Sequence, residues 1–300
     1  MDYSKVKSEL SNVIEGEIFD DEETLKKYSR DASLLEVRPS LVIWPKNKED
    51  IKKVVRFVSE NKIKNPELSV TVRAAGSCMS GGSLNESIIL DINKYLNSVS
   101  IDKEKKEATI EPGIFYRDFE VETLGRGLIL PCYTASKNLC ALGGMIGNNA
   151  AGEKTLQYGK MENFVKEVRM VLSDGEEYTF KPLSRVDALA KSHENTAEGE
   201  VYEKILKILD ENRELIKEAK PKVSKNSAGY YLWNIEHDAM IDLVKVIVGS
   251  QGTLGIVTEA KIRLEEVKKQ SKLLVIFMRD LNNLGSLVNT ILKYKPESLE

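Results

Sequence analysis

Residues 73–82 read Arg-Ala-Ala-Gly-Ser-Cys-Met-Ser-Gly-Gly and stand between two apolar runs, Ser69–Arg73 and Ile88–Leu90. Short side chains let main chain approach a ligand closely, and successive N–H groups can converge on an anion such as a pyrophosphate. A flexible surface loop would have the same composition. No Gly-Lys-Ser/Thr closes the run, so it is not a Walker A loop. A strand rather than a helix follows it, which excludes the dinucleotide fingerprint. A second run of small residues, 134–159, holds Gly143-Gly144, Asn148-Asn149 and Gly152. Its adjacent amides can donate to the carbonyls of a heterocycle or to phosphate, and Asn is a poor residue for helix packing. In the third run, 248–260, Gly249, Gly252 and Gly255 are three apart and precede a strand, so a structural turn is an equal reading.

Other chemistry finds less support. Ser77 and Ser80 lack the Gly-x-Ser-x-Gly elbow of hydrolases. Cys78 as a nucleophile needs a base, and neither His193 nor His237 can be placed beside it. Those are the only histidines, both in polar context, so no metal site is expected. The stretch Lys225–Trp233 is aromatic for a loop and reads either as a docking surface or as core beneath a loop.

The elements that must position these runs follow from periodicity. Residues 1–35 read as a polar, helical N-terminal segment, with Asp20-Asp21-Glu22-Glu23 opening a helix. Leu41–Trp44 is a buried strand stopped by Pro45. Asn47 caps a helix in which Ile51, Val54, Val55 and Val58 follow a 3.6-residue spacing, and residues 68–74 return to strand. Strand, helix, strand makes a βαβ unit with parallel strands, and the first glycine run sits at its carboxyl end, where open sheets bind ligands. Beyond residue 96 the pattern is antiparallel. Hairpins turn at 102–106 and at Ser173-Asp174-Gly175, and a strand spans 253–264. Helices are expected over 115–124, 142–151, 200–219 and 238–248. After a polar break at 265–270, a strand at 273–278 and a helix at 281–294 read as the start of a further domain.

Composition narrows the class. The 300 residues are 41% hydrophobic and 30% charged with a net charge of −3, as in a soluble globular protein. Lys and Arg form no stripe, which argues against nucleic acid. Apolar runs fall far short of a membrane span, and the N-terminus lacks a signal-peptide core. Cys78, Cys132 and Cys140 read as free thiols of a reducing cytoplasm.

Taken together, the three runs resemble those of flavin-dependent oxidoreductases of the vanillyl-alcohol-oxidase/p-cresol-methylhydroxylase type, within them the glycolate oxidase D subunit and D-lactate dehydrogenase branch. Arg73–Gly82 is similar to the family's Arg-Gly-x-Gly-Thr-Ser-x-x-Gly-Gly loop. Thr134-Ala135-Ser136, Gly143-Gly144, Asn149-Ala150-x-Gly152 and Tyr158-Gly159 resemble its second motif. Gly249–Ala260 differs little from its Gly-Ser-Glu-Gly-Thr-Leu-Gly-Ile-Val-Thr-Glu-Ala segment. The likeness covers roughly residues 38–300.

The resemblance implies an α+β, two-lobed FAD-binding domain over 36–267, a small βαβ lobe at 36–96 and a larger mixed and antiparallel lobe at 97–267, with an incomplete cap domain from 268. It implies that Ala75, Gly76, Ser77, Cys78 and Met79 cradle the FAD pyrophosphate and that Gly81 and Gly82 allow the turn. By the same likeness Ser136, Gly143, Gly144, Asn148, Asn149 and Gly152 line the ribityl and isoalloxazine side, and Ile256 and Val257 approach the adenine. Ala74 and Ala75 replace glycines that are usual in the family. Some relatives attach flavin through a histidine of this loop; position 77 is serine, so the FAD is expected to be non-covalent.

The implied reaction is oxidation of a small D-2-hydroxy acid, lactate- or glycolate-like, by hydride transfer to flavin. Its catalytic groups are expected beyond residue 300, so a chain of these residues alone would bind FAD with little turnover. Alternatives are a flavin subunit passing electrons to an iron–sulfur or other acceptor protein, a wall-precursor enolpyruvyl reductase or sugar-lactone oxidase of the same superfamily, and a non-enzymatic scaffold. The expected location is cytoplasmic, or peripheral to the inner membrane.

Overall fold

The computed structural model describes residues 1–223 and 225–300. In chain order the first lobe comprises α1 (Tyr3–Ser11), β1 (Glu17–Phe19), α2 (Glu22–Tyr28), β2 (Leu41–Trp44), α3 (Lys48–Asn61), β3 (Val70–Arg73) and β4 (Ile88–Asp91). The second begins with β5 (Val99–Asp102), β6 (Glu107–Ile110), α4 (Tyr116–Leu124), β7 (Leu128–Ile129), α5 (Leu142–Gly147) and α6 (Thr155–Tyr158). It continues with β8 (Val165–Val171), β9 (Glu177–Phe180), β10 (Leu183–Ser184), α7 (Arg185–Ser192), α8 (Ala197–Glu211) and α9 (Arg213–Ala219). It closes with β11 (Glu236–His237), β12 (Met240–Ile241), α10 (Val244–Ile247), β13 (Ile256–Arg263) and β14 (Glu265–Glu266), and α11 (Leu284–Leu292) follows.

The small lobe is a sheet of order β1-β2-β4-β3. β2 and β3 are parallel, as the βαβ pattern requires, but β4 lies between them and is parallel to both. Burial on both faces explains the unbroken apolar run Ile88-Ile89-Leu90, each residue fully buried. The N-terminal segment is not a separate helical appendage. β1 pairs antiparallel with β2, and Val6 and Leu10 of α1 pack in one cluster with Leu41, Ile43, Ile51 and Ile88. Asp50, fully buried in α3, ties that segment in by accepting from the N–H groups of Glu15 (2.8 Å) and Lys46 (2.9 Å).

The large lobe is built on an antiparallel sheet of order β5-β6-β13-β8-β9. In the central strand, β13, buried and half-buried residues alternate as period-2 geometry demands. The Asp174-Gly175 turn joins β8 to β9, with Gly175 at φ +77°. The lobes share core where Val171 and Ile256 enter the small-lobe cluster, and Arg56 and Lys52 of α3 pair with Glu176.

Three expected elements differ. The helix expected over 200–219 breaks at Asn212, which has φ −124° and ψ +21°. The segment 238–248 is helical only at Val244–Ile247, because Asp238 and Ala239 take positive φ (49° and 60°) and turn the β11–β12 hairpin instead. Residues 273–278 form no strand: no neighbouring backbone pairs with them, and Leu273 and Phe277 are exposed. Among the described residues no helix is long and apolar enough to cross a membrane.

Candidate functional site

The β3–β4 loop is held from behind by the N-terminal segment. Arg73 ends β3 opposite Asp91 in register. Its Nη2 donates to the Arg30 carbonyl (2.8 Å) and its Nη1 to that of Tyr28 (3.4 Å), with the guanidinium 5.2 Å from the Tyr28 ring centroid. Tyr28 donates its hydroxyl to Asp91 (2.7 Å) and accepts from the Trp44 indole (2.9 Å). Burial pushes the Asp91 carboxyl up, against the opposing pull of the Tyr28 hydroxyl, the Asn93 N–H and the Arg73 charge. Burial likewise raises the Tyr28 phenol, helped by the Asp91 carboxylate. The Ala32 N–H reaches the Gly76 carbonyl at 3.1 Å, and the Ser83 hydroxyl donates to Asp31 at 3.1 Å.

With its back fastened, the loop turns its other side to a cleft. Among the described residues, no N–H of residues 75–79 meets a protein acceptor. Unpaired main-chain donors in succession are the chemistry of an anion site. Facing them are α5 and the 249–255 loop. α5 is seated by Leu142 N–H to the Ile114 carbonyl (2.9 Å) and Gly143 N–H to that of Pro112 (2.7 Å). The 249–255 loop docks on the end of α5 through Gly249 N–H to Ile146 (2.9 Å) and Gln251 N–H to Gly147 (2.9 Å).

The three runs thus line one open cleft. Its walls are bare and close. A Cβ added to Gly82 would stand 3.5 Å from Gln251 Oε1, one on Gly147 would lie 3.6 Å from the Gln251 Cα, and one on Gly144 would lie 3.8 Å from the Ala74 Cβ.

Of the residues singled out from sequence, Ala75, Gly76, Ser77, Cys78, Gly82, Gly143, Gly144, Asn148 and Val257 line this cleft. The others lie elsewhere. Met79 points to solvent, 83% exposed. Gly81 turns the loop at φ +78° against Leu35. Ser136 sits on another loop with its hydroxyl 2.9 Å from that of Thr134. Gly152 is pressed against the Tyr133 carbonyl, where a Cβ would overlap the oxygen. Ile256 is buried in the core shared by the lobes.

Asn149 turns its side chain away from the cleft. At φ +49° it donates to the Glu162 carboxylate (2.8 Å) and accepts from the Glu162 N–H (3.0 Å). Glu162 pairs with Lys160 (3.3 Å), whose ammonium reaches the Tyr231 hydroxyl at 2.5 Å. Sequence reasoning missed Pro112, Ile146 and Gly147 of the wall and the whole Arg73–Tyr28–Asp91 support. The one local signal for the latter was a charged residue at the end of each of two apolar strands, Arg73 and Asp91.

A cleft of unpaired main-chain donors and glycine walls between a parallel and an antiparallel sheet defines a nucleotide-cofactor flavoprotein fold. Residues 39–181 match the FAD binding domain family, and FAD is the cofactor of this domain. On this match residues 39–181 form a domain of the FAD binding domain family, and the likeness to the vanillyl-alcohol-oxidase/p-cresol-methylhydroxylase type is carried by that domain.

Among curated relatives, D-2-hydroxyglutarate dehydrogenase of Pantoea ananatis is 30% identical over 80% of this chain and 24% of its own length. Glycolate oxidase subunit GlcD of Bacillus subtilis is 27% identical over 98% of this chain and 52% of its own. D-lactate dehydrogenase of Archaeoglobus fulgidus is 25% identical over 87% and 46%. The chain therefore spans about a quarter to a half of these relatives. In fold it is similar to an alkyldihydroxyacetonephosphate synthase (TM-score 0.62, 19% identity, 90% of this chain and 42% of that one). It is also similar to 6-hydroxy-D-nicotine oxidase of Arthrobacter nicotinovorans (TM-score 0.55, 21% identity, 84% and 43%).

Proposed function

We propose that this chain is the flavin-binding part of an oxidoreductase that oxidises a small D-2-hydroxy acid. The observation that carries the reading is the run of unpartnered N–H groups on residues 75–78, which line the cleft opposite the glycine wall of α5. FAD, when bound, supplies the two-electron acceptor. The chain's own residues do the rest. The main-chain donors of residues 75–78 would stabilise the diphosphate charge by hydrogen bonding, with no lysine in the cleft lining, and the glycines of α5 keep that wall free of side chains. The three relatives named above carry names of 2-hydroxy-acid enzymes, which supports that substrate class.

The FAD is held without a covalent bond in this reading, because no histidine lines the cleft. The catalytic base, expected beyond residue 300, and the cap domain that residues 268–300 would begin belong to the proposal. A second reading has one observation in its favour: GlcD is by name a subunit. On that reading the chain passes electrons to an iron–sulfur or other acceptor protein after the same oxidation.

Purified protein soaked with FAD and acid-precipitated is expected to release its flavin to the supernatant. Anaerobic D-lactate, glycolate or D-2-hydroxyglutarate is expected to bleach the flavin absorbance of the full-length protein. Failure to take up FAD, or no bleaching by any D-2-hydroxy acid, would remove the proposal.

A further inference from the structure

The loop that closes the cleft holds one residue against its backbone preference. Gly249 (φ +98°), Gln251 (φ +53°) and Gly252 (φ +76°) all take the left-handed side of backbone space. Glycine does so freely and glutamine does not. The Gln251 N–H, bonded to the Gly147 carbonyl at 2.9 Å, and the Thr253 N–H, bonded to that of Ser250 at 3.0 Å, fix the turn on either side. A third glycine at 251 would make the same turn without strain. Strain of this kind gathers at ligand-binding loops.

The side chain at 251 lies where the three glycine runs meet. Its Oε1 stands 3.5 Å from a Cβ added to Gly82 in the first run, and its Cα stands 3.6 Å from one added to Gly147 in the second. The same Gly82 Cβ would lie 3.6 Å from Cys78 Sγ, so the carboxamide reaches the loop that carries the unpaired main-chain donors. Thr253, two residues on, spends its hydroxyl on the Ser250 carbonyl and on Tyr230. Among the described residues, the Gln251 carboxamide has no hydrogen-bond partner, and it lines the cleft.

Its chemistry suits what the rest of the lining lacks. No charged side chain lines the cleft, and the other polar ones, Ser77, Cys78, Ser83, Asn148 and Ser250, are shorter. Ser83 already donates to Asp31. A carboxamide offers two N–H donors without a charge, and a donor to an anionic oxygen makes a stronger bond than one to a neutral acceptor. A glutamate of the same length would bring acceptors only, and a negative charge. The Gly-Ser-Glu-Gly-Thr segment that this loop resembles has glutamate at this position.

We infer that Gln251 is a cofactor-binding residue, whose carboxamide donates to the FAD diphosphate and adds a side-chain donor to the main-chain donors of residues 75–78. The inference rests on the reading of the cleft as the diphosphate site and not on the identity of the substrate.

The test measures FAD affinity of flavin-stripped full-length protein by fluorescence titration, beside thermal melts of the same samples. Gln251→Met keeps the length and the left-handed strain and removes the donors. Gln251→Gly removes both. Each is expected to weaken FAD about tenfold, while the Tm of Gln251→Gly stays unchanged or rises by about 2 °C as the strain is relieved. Gln251→Glu is expected to weaken FAD more than either, with the deficit narrowing at high salt. ADP, which carries the diphosphate without the flavin, is expected to lose affinity in step when it is titrated against bound FAD. Unchanged FAD affinity in both Gln251→Met and Gln251→Gly would overturn the contact. A lowered Tm in Gln251→Gly, matching its loss of FAD, would reassign Gln251 to shaping the loop and overturn it too. Weakened FAD with unaltered ADP would overturn the diphosphate as its target. An unaltered protein that takes up no FAD would remove the cleft reading itself, and this inference with it.

Discussion

The Arg73 guanidinium lies beneath the turn at Gly76, so near that a Cβ on Gly76 would stand 2.5 Å from Arg73 Nη2. Arg73 cannot easily move aside, because the carbonyls of Arg30 and Tyr28 and the Tyr28 ring hold it. Gly76 itself has φ +64°, which disfavours any side chain. The loop that presents the unpaired donors is therefore shaped by a charged residue on its far side.

Gly76→Ala is expected to cost about 1–2 kcal/mol of stability from the left-handed backbone alone, with the Arg73 overlap in addition. Its FAD affinity should fall more than tenfold, because the displaced loop is the one that carries the donors. Flavin fluorescence titration reads the affinity, and unchanged binding would contradict this account of the loop.

Cys78 lines the cleft and the other two thiols do not. Burial raises the Cys78 thiol, but hydrogen bonds from the Ser80 hydroxyl and from the Ser80 and Gly82 main chain outweigh it and hold it below the ordinary thiol range. Burial pushes Cys132 and Cys140 up. Iodoacetamide should therefore label the native apoprotein at Cys78, at a pH below that needed for a free thiol. FAD at ten times its Kd should slow the labelling about tenfold. Peptide mass mapping that finds Cys132 or Cys140 modified first would refute this ordering.

Glu162 is 8% exposed and anchors both Asn149 and Lys160. Glu162→Ala leaves the Lys160 ammonium, itself 9% exposed, without its counter-charge though still bonded to the Asn226 carbonyl and the Tyr231 hydroxyl, and should destabilise the protein by about 3 kcal/mol. Glu162→Gln keeps an acceptor for the Asn149 amide and should recover FAD affinity better than it recovers stability. Urea midpoints set beside FAD titrations separate the two effects.

Two glycines offer a matched contrast. Gly127 has φ +75° with nothing within 4 Å of an added Cβ, so Gly127→Ala should cost only about 1 kcal/mol. Gly152 lacks a positive φ, yet its Cβ would overlap the Tyr133 carbonyl oxygen, and backbone cannot yield as a flexible side chain can. Gly152→Ala should cost at least about 3 kcal/mol by forcing the 133–134 and 152–158 segments apart. Thermal melts of the pair decide it, and equal losses would be the contrary result.

Much of the fold was legible because its signals are local. The 3.6-residue spacing of Ile51, Val54, Val55 and Val58 marked α3, and the Asp174-Gly175 turn marked the β8–β9 hairpin. The three glycine runs were legible for the same reason, since runs of small residues are a property of consecutive positions. Misreadings arose where distant partners decide the outcome. Leu273–Met278 has the composition of a strand, but a strand needs a neighbour, and none lies beside it. The segment 238–248 looked helical because the positive φ of Asp238 and Ala239 leaves little trace in residue type. Asn149 was expected to face the cofactor because an amide can donate there; Glu162, thirteen residues on, claims that amide instead.

By itself the sequence determined that three stretches of this protein would carry almost no side chain, and so which main chain was free to touch a ligand. Steric permission of that kind belongs to each residue and survives in any fold. Only the tertiary structure decided that the stretches face one another, that Arg73 braces the first from behind through Tyr28 and Asp91, and that Asn149 turns inward to Glu162. Those are pairings between groups far apart in the chain. They depend on the strand order β1-β2-β4-β3 and the docking of the second lobe, neither of which is encoded at any one position.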